Sequence, residues 1–385
     1  MRRHDQDANG GQDANGGNLV AAQIALSLSL VFAVCGCGGD GVTTVKSPGD
    51  KSDTNSEVLE DKTVEEPVMQ AFGKKQRSFV FNYSFKLLNL KPGAVVKVWT
   101  PQARSDKFQI ASRNRISAPF EARETVGPKY KNSMLYFEGK VAATESSGEG
   151  IESALSFSIP FQIQRKQVRM GDLMSDSSVE EIADVFLKGN EKIPLDDKPQ
   201  ELLGQKTLPD DPMAKAKQLY QLVDEHVRYS KDGEGWGHGD ANWVCDSRFG
   251  NCTDFHSLFI SLARSQELPA KFEIGFPLPA NKSEGKIGGY HCWGWFHTDK
   301  KGWVPVDISE ADKHPEMKEF YFGGLTSDRI GFSVGRDLTL EPKQSGPPLN
   351  FFVYPYVEVD GKPLGKTQIE LNFSFNDLAD DQVAK

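Results

Sequence analysis

The segment 249–263 constrains the fold of this chain more than any other segment. Its apolar residues recur at the i, i+3, i+4 and i+7 spacing of one helix face: Phe255, Leu258, Phe259 and Leu262. Asn251 and Thr253 can accept hydrogen bonds from the free amides of a first helical turn, and Asp254 suits the positive end of a helix. The pattern therefore predicts a buried helix whose first turn contains Cys252.

The position of Cys252 has chemical consequences. A thiolate is electrostatically favoured at a helix N-terminus, and the pKa of a thiol is lowered there. Backbone amides of the same turn can also face the oxyanion of an acyl-transfer intermediate. We therefore predict that Cys252 is a nucleophile.

A base for this thiol is predicted from a hairpin over residues 288–307. If His297 lies opposite Trp303, the numbers of facing residues sum to 600, and His291 lies diagonally across from Asp307 on the same face. Diagonal neighbours of this kind are about 7 Å apart, within reach of an imidazole and a carboxylate. Cys292 points to the opposite face, so it is a poor candidate for the nucleophile.

Four motifs in this order resemble the bacterial transglutaminase-like superfamily: Gly250-Asn251-Cys252-Thr253-Asp254-Phe255, Leu268-Pro269-Ala270-Lys271-Phe272, His291-Cys292-Trp293 and Trp303-Val304-Pro305-Val306-Asp307. Further similar segments extend the resemblance over residues 77 to 375: Trp99-Thr100-Pro101, Phe108-Gln109, Tyr136-Phe137, Tyr321-Phe322-Gly323 and Gly335-Arg336-Asp337. The resemblance implies a papain-like site with Cys252, His291 and Asp307 as the catalytic residues, and no cofactor.

A Gly-rich loop over residues 232–243 precedes the predicted nucleophile. The side chains of Trp236, Asn242 or Trp243 could supply a second oxyanion donor, and the sequence leaves the choice among them open. We expect the loop to be mobile and to admit water. Trp293, Trp295 and Trp303 flank the hairpin and could shield a thioester, but the loop favours hydrolysis over transfer to an amine.

Two other interpretations concern the cysteines. A metal site made of Cys252, His256 and His291 is conceivable, but no CxxC or HxxxH pair supports it, and we expect no metal. Cys245 and Cys292 could form a disulfide in an oxidising compartment, and the sequence leaves this question open.

The N-terminal region predicts export. Residues 1–37 resemble a signal peptide that ends in a lipobox-like sequence, with Cys37 as the lipid-bearing residue. Residues 38–76 are polar and almost free of aromatic residues, which is typical of a disordered linker. We therefore expect a bacterial cell-envelope protein that is held at the membrane by a lipid anchor or is periplasmic or secreted.

The remaining chain predicts an α+β protein in which an antiparallel β-sandwich domain precedes a papain-like, transglutaminase-like catalytic domain. Alternating apolar residues predict the sandwich over residues 77–168, the catalytic domain follows over residues 175–375, and residues 376–385 form a tail. Within the second domain, an apolar face of period 3.6 predicts a helix from Pro212 to Val227. The net charge of −9 argues against a nucleic-acid partner.

These observations predict a thiol enzyme that acts on a peptide or protein substrate at peptide or amide bonds. Hydrolysis is favoured, and protein cross-linking by a transglutaminase reaction is the alternative. A binding or scaffold module that keeps the fold without the reaction is a further alternative from another class.

Overall fold

A computed structural model describes residues 74–142, 153–174 and 184–379. The predicted signal peptide, Cys37 and the linker up to residue 73 lie outside the described residues. The last strand runs to Asp377, two residues into the predicted tail, and the tail beyond residue 379 lies outside the described part. No helix within these described ranges is long and apolar enough to cross a membrane.

The strands follow the predicted alternation most clearly in β1, where Phe79, Phe81, Tyr83 and Phe85 are all buried and the residues between them are half-buried. The strands are β1 (Gln76–Leu90), β2 (Val95–Pro101), β3 (Gln109–Arg113), β4 (Ala122–Val126), β5 (Ser133–Lys140), β6 (Ser153–Lys166), β7 (Arg228–Tyr229), β8 (Phe249–Gly250), β9 (Ala270–Pro277), β10 (Glu284–Ile287), β11 (His291–Thr298), β12 (Gly302–Val306), β13 (Arg329–Val334), β14 (Tyr356–Val359), β15 (Lys362–Pro363) and β16 (Ile369–Asp377).

The helices are α1 (Lys198–Leu203), α2 (Pro212–His226), α3 (Ala241–Ser247), α4 (Cys252–Ser265) and α5 (Ile308–Lys313). Helix α2 confirms the helix predicted from Pro212, and the Asp211 side chain caps it by accepting from the Ala214 amide. Short 3₁₀ turns lie at Met170–Asp172, Asp184–Phe186, Pro315–Met317 and Lys366–Gln368.

Antiparallel sheets make up most of the fold. One five-stranded sheet has the order β10-β16-β1-β6-β3, and a second has the order β15-β14-β2-β5-β4. Both sheets combine strands from residues 76–166 with strands from the last part of the chain, because β16 pairs with β1 and β14 pairs with β2. The sandwich as a separate N-terminal domain therefore stays a prediction. The antiparallel sheets and the helices together form an α+β fold.

The candidate site is built on a smaller sheet of order β12-β11-β9-β13, against which α4 packs. Aromatic rings anchor this small sheet to the first five-stranded sheet. Phe276 of β9 stacks on Phe81 at 5.1 Å and lies 4.7 Å from Phe373 of β16. Phe332 of β13 meets Phe161 of β6 edge to face at 5.6 Å. The core is thus continuous beneath the site.

Candidate active site

The start of α4 places Cys252 at the first helical position, as predicted. The Asn251 side chain accepts from the Thr253 amide at 2.8 Å, and the Asp254 carboxylate accepts from the Asn251 amide at 2.9 Å. This reciprocal capping box fixes where the helix begins. The thiol of Cys252 is almost completely buried at this N-terminus.

The hairpin has the predicted register. His297 pairs with Trp303 and Gly294 pairs with Val306, so facing residue numbers sum to 600. His291 begins β11, and its Nε2 lies 2.8 Å from Oδ2 of Asp307. Asp307 follows the last residue of β12 and caps α5, since its Oδ1 accepts from the Glu310 amide at 3.2 Å. The two predicted residues therefore meet at the end of the hairpin.

The charges of Cys252, His291 and Asp307 shift one another's pKa values towards the ionised forms. Burial alone would raise the pKa of the Cys252 thiol, but hydrogen bonds with Cys292 and His291 and the positive charge of His291 hold this pKa well below its ordinary value. Burial would lower the pKa of His291, yet the charge of Asp307 and its hydrogen bond raise that pKa to about 10. The arrangement favours a thiolate beside an imidazolium at neutral pH.

Arg329 completes the site and was not predicted from the sequence. Its Nη1 donates to Oδ2 of Asp307 at 2.8 Å, and its guanidinium lies 4.9 Å from the centre of the Trp293 ring. Burial would raise the pKa of Asp307, but the charges of His291 and Arg329 keep this pKa well below its usual range. The sequence feature that could have identified Arg329 is its place at the start of the apolar strand β13, since a buried guanidinium needs an anionic partner.

The structure gives each of the three predicted oxyanion donors a contact with a residue other than Cys252. Asn242 and Trp243 belong to α3 and not to the loop in which they were placed, because the Asp240 side chain starts a helix by accepting from both of their amides. The side-chain amide of Asn242 donates to the Asp197 carboxylate at 2.8 Å, and the Trp243 ring meets the Phe249 ring edge to face at 5.3 Å. Trp236 lies 5.7 Å from the Lys231 ammonium. Their role in an oxyanion hole stays a prediction.

The Gly-rich loop is fastened more firmly than expected. The amides of Gly237 and Gly239 donate to the two oxygens of Asp254 at 2.7 and 2.8 Å. Arg336 donates to the carbonyl groups of His238 and Gly239, both at 3.1 Å. Asp254 and Arg336 therefore hold the loop in place, although its glycine content predicts mobility.

Two of the hairpin tryptophans that could shield a thioester bind a buried carboxyl group. Trp293 and Trp295 are buried, and their indole groups donate to the Glu273 carboxyl group at 3.2 and 2.6 Å. The Trp303 ring packs against His297 at 5.3 Å. The indole nitrogens of two of the three tryptophans thus bind one buried carboxyl group.

The remaining thiols and metal ligands have clear positions. Cys245, Cys252 and Cys292 are all free cysteines. Cys292 contacts Thr253 and His256 of α4 at 3.8 Å. Burial together with its hydrogen bond to Cys252 raises the pKa of Cys292 well above the ordinary value. Among the described residues, ligand atoms of His291, Asp307 and Glu310 lie within 4.8 Å of one another. Two of these residues already share the 2.8 Å bond of the candidate site, so we treat the group as part of that site.

Comparisons with known proteins agree with this geometry. Residues 202–308, which include Cys252, His291 and Asp307, match the core domain of the Transglutaminase-like superfamily. An uncharacterized protein of Haemophilus influenzae is 30% identical over 198 residues, which cover 43% of this chain and 53% of that protein. The chain thus spans about half the length of this curated relative.

Two solved structures align with part of this chain. A candidate cysteine protease from Cytophaga hutchinsonii is 13% identical with a TM-score of 0.45, over 79% of this chain and 99% of that one. The periplasmic domain of TgpA from Pseudomonas aeruginosa is 14% identical with a TM-score of 0.29, over 62% of this chain and 90% of that one. These superpositions are partial, and the family assignment rests on the match over residues 202–308. The similarity to the transglutaminase-like superfamily therefore lies in residues 202–308.

Proposed function

We propose that this protein is a thiol enzyme that cleaves peptide or amide bonds through Cys252, His291 and Asp307. The observation that carries the proposal is the buried 2.8 Å contact between His291 Nε2 and Asp307 Oδ2 beside a thiol at a helix start. This is the arrangement that a nucleophile, a base and an orienting carboxylate require. The superfamily match over the same residues supports it.

The proposed reaction begins with attack of the Cys252 thiolate on a carbonyl carbon. Because Nε2 of His291 is bound to Asp307, Nδ1 is the nitrogen left to face the thiol. Nδ1–H gives its proton to the leaving amine, and a thioester remains on Cys252. Nδ1 then takes a proton from water as the water attacks the thioester, and the acid product leaves with the thiolate restored.

Two groups support this proton transfer without touching the substrate. Asp307 orients the imidazole and stabilises its charged form, and Arg329 keeps Asp307 ionised. The backbone amide of Cys252 is the proposed oxyanion donor. First-turn amides have no acceptor within their own helix, so this N–H can point at a substrate.

Hydrolysis is proposed ahead of transfer to an amine. Transfer requires a thioester that outlives attack by water, which a wall of large aromatic side chains can provide. Trp293 and Trp295 have almost no exposed surface, so neither ring is available to line a channel around the thioester. This favours water as the second substrate.

We also propose that the enzyme works in the cell envelope, held there by lipid on Cys37. The proposal rests on the signal-like residues 1–37. Detergent partitioning of wild-type protein and of Cys37→Ser tests it. A wild-type protein that stays in the aqueous phase with Met1 retained contradicts the anchor.

The activity is tested by incubating the full-length protein with a peptide library, with and without a primary amine, and analysing the products by mass spectrometry. We expect cleaved or deamidated peptides, loss of turnover in Cys252→Ser, and normal turnover in the control Cys245→Ser. A predominance of amine adducts overturns the preference for hydrolysis. No turnover, together with alkylation of Cys252 no faster than that of Cys245, favours the scaffold alternative.

A further inference from the structure

A second histidine lies inside the site, and the proposed reaction does not use it. His256 is one helical turn after Cys252 on α4 and has no exposed surface. Its Nδ1 lies 2.7 Å from the carbonyl oxygen of Cys252, and its Nε2 lies 3.1 Å from the backbone nitrogen of Ile308. One imidazole ring therefore joins the main chain of the nucleophile to the residue that follows Asp307.

The two partners fix the protonation of this ring. A carbonyl oxygen can only accept a hydrogen bond, so Nδ1 carries the proton. A backbone N–H can only donate, so Nε2 presents its lone pair to Ile308. His256 is thus a neutral imidazole with a defined tautomer, and both of its nitrogens are occupied.

The surrounding groups keep the ring neutral. Burial lowers the pKa of His256, and the charge of His291 acts in the same direction. Asp307, with Oδ1 at 3.8 Å from Nε2, and the Cys252 thiolate oppose this shift without reversing it. The Cys292 thiol lies 3.8 Å from Nδ1. A ring that protonated at Nε2 would lose the bond to Ile308, so His256 is suited to hold main chain in place and not to carry a proton.

We infer that His256 is a positioning residue that fastens the helix start bearing Cys252 to the turn bearing Asp307. Cys252 and Asp307 belong to different elements, and the two bonds of the ring join the main chains of these elements directly. The bridge fixes the distance over which Cys252 and His291 must meet. This inference rests on the proposed function and adds a residue to it.

Three substitutions separate the two bonds of the bridge. His256→Asn keeps a donor near the position of Nδ1, His256→Gln keeps an acceptor near the position of Nε2, and His256→Phe keeps a ring without either bond. We expect kcat to fall about tenfold in the His256→Asn and His256→Gln variants, as for loss of one hydrogen bond. For His256→Phe we expect kcat to fall about 100-fold, as for a nucleophile misplaced by about 1 Å. KM should stay unchanged, since the ring is not exposed to substrate.

The matched control is Ser261→Ala. Ser261 lies on the same buried helix, and its hydroxyl donates to the carbonyl of Pro194, away from the residues of the proposed reaction. All variants are compared at a temperature where circular dichroism shows them folded. Ser261→Ala should lower the melting temperature and leave kcat unchanged. Wild-type kcat in His256→Phe, or in both amide variants, overturns the inference.

A measurement on the wild-type protein covers the case in which a variant does not fold. Nitrogen-15 NMR of the histidine rings should show His256 protonated at Nδ1 and unprotonated at Nε2 throughout the pH range of activity. A His256 ring that is protonated at Nε2 overturns the inference. Turnover that survives in Cys252→Ser refutes the proposed function itself, whereas normal His256 variants beside an inactive Cys252→Ser refute only the bridge.

Discussion

The two faces of strand β11 are built from different kinds of interaction. On one face, His291, Trp293 and Trp295 contact buried charged or polar groups, namely Asp307, Arg329 and Glu273. On the other face, Cys292, Gly294 and Phe296 pack against α4, and Phe296 lies 6.3 Å from Phe259. Side chains alternate between faces along a strand, so adjacent residues serve different purposes.

This difference separates the contacts that stabilise the fold around the site from those that position its charged groups. The face towards α4 is mostly apolar, and its contribution to stability grows with the area it buries. The face towards Asp307 places charges in a medium of low polarity, where each charge needs a partner in the right place. Substitutions of His291 or of its charged partners on the polar face should therefore alter turnover and its pH dependence, whereas a substitution of Phe296 on the other face should alter stability alone.

The largest effect is expected from Asp307→Asn on the polar face. An amide can hold the His291 ring in the wrong tautomer, so kcat should fall by about 10⁴-fold. The control is Asp312→Asn in α5, whose carboxylate accepts the Tyr229 amide at 2.8 Å. Kinetics and circular dichroism together check the result. Full turnover in Asp307→Asn would leave Asp307 as a merely structural carboxylate.

The second effect concerns pH. The pKa of Cys252 lies well below its ordinary value and that of His291 is raised to about 10, so alkylation of Cys252 by iodoacetamide should be fast across neutral pH. A raised histidine pKa stabilises the fold fully below the unfolded value of about 6.5, and this stabilisation is lost as pH rises through about 10. Measurements of turnover and of unfolding from pH 6 to 11 test the reactivity at neutral pH and the loss of stability at high pH. Equal alkylation rates for Cys245 and Cys252 would contradict the ion pair.

The third effect is expected from Arg329→Met. Removal of one partner from a buried ion pair should lower the free energy of unfolding by about 3 kcal/mol. A depressed carboxyl pKa stabilises the fold above the unfolded pKa and stops doing so as pH falls through the folded pKa. Without Arg329 the pKa of Asp307 is less depressed, so acid unfolding should begin at a higher pH. Urea titrations at several pH values measure this, and an unchanged acid transition would argue against the pairing.

Local signals predicted the core of this site. Asn251 and Asp254 mark the start of α4, and a short polar loop sets the register that brings His291 to Asp307. Such features depend on residues close together in the chain. The capping residues and the period of two leave few other arrangements.

Long-range partners could not be predicted in the same way. Strand β16 pairs with β1 across almost the whole described chain, and nothing in either strand specifies the other. Arg329 reaches Asp307 from a different strand, and the sequence offers His256 only as a metal ligand, whereas in the structure it binds the backbone of Ile308. The sequence indicates that Trp293 and Trp295 could shield the site, whereas the buried Glu273 that binds both indoles is visible only in the structure.

The smallest effects come from two neighbouring residues that face opposite ways. Trp295→Phe removes the indole donor that lies 2.6 Å from Glu273, which leaves a buried carboxyl oxygen with one donor fewer and should cost about 2 kcal/mol. Phe296→Leu on the apolar face is close to conserving volume and should cost about 1 kcal/mol. Neither side chain contacts Cys252 or His291 through a hydrogen bond in the described structure, so kcat per folded molecule should be unchanged in both. Chemical denaturation compares the pair, and a larger loss in Phe296→Leu would mean that polar partners do not dominate the stability of the face that carries His291.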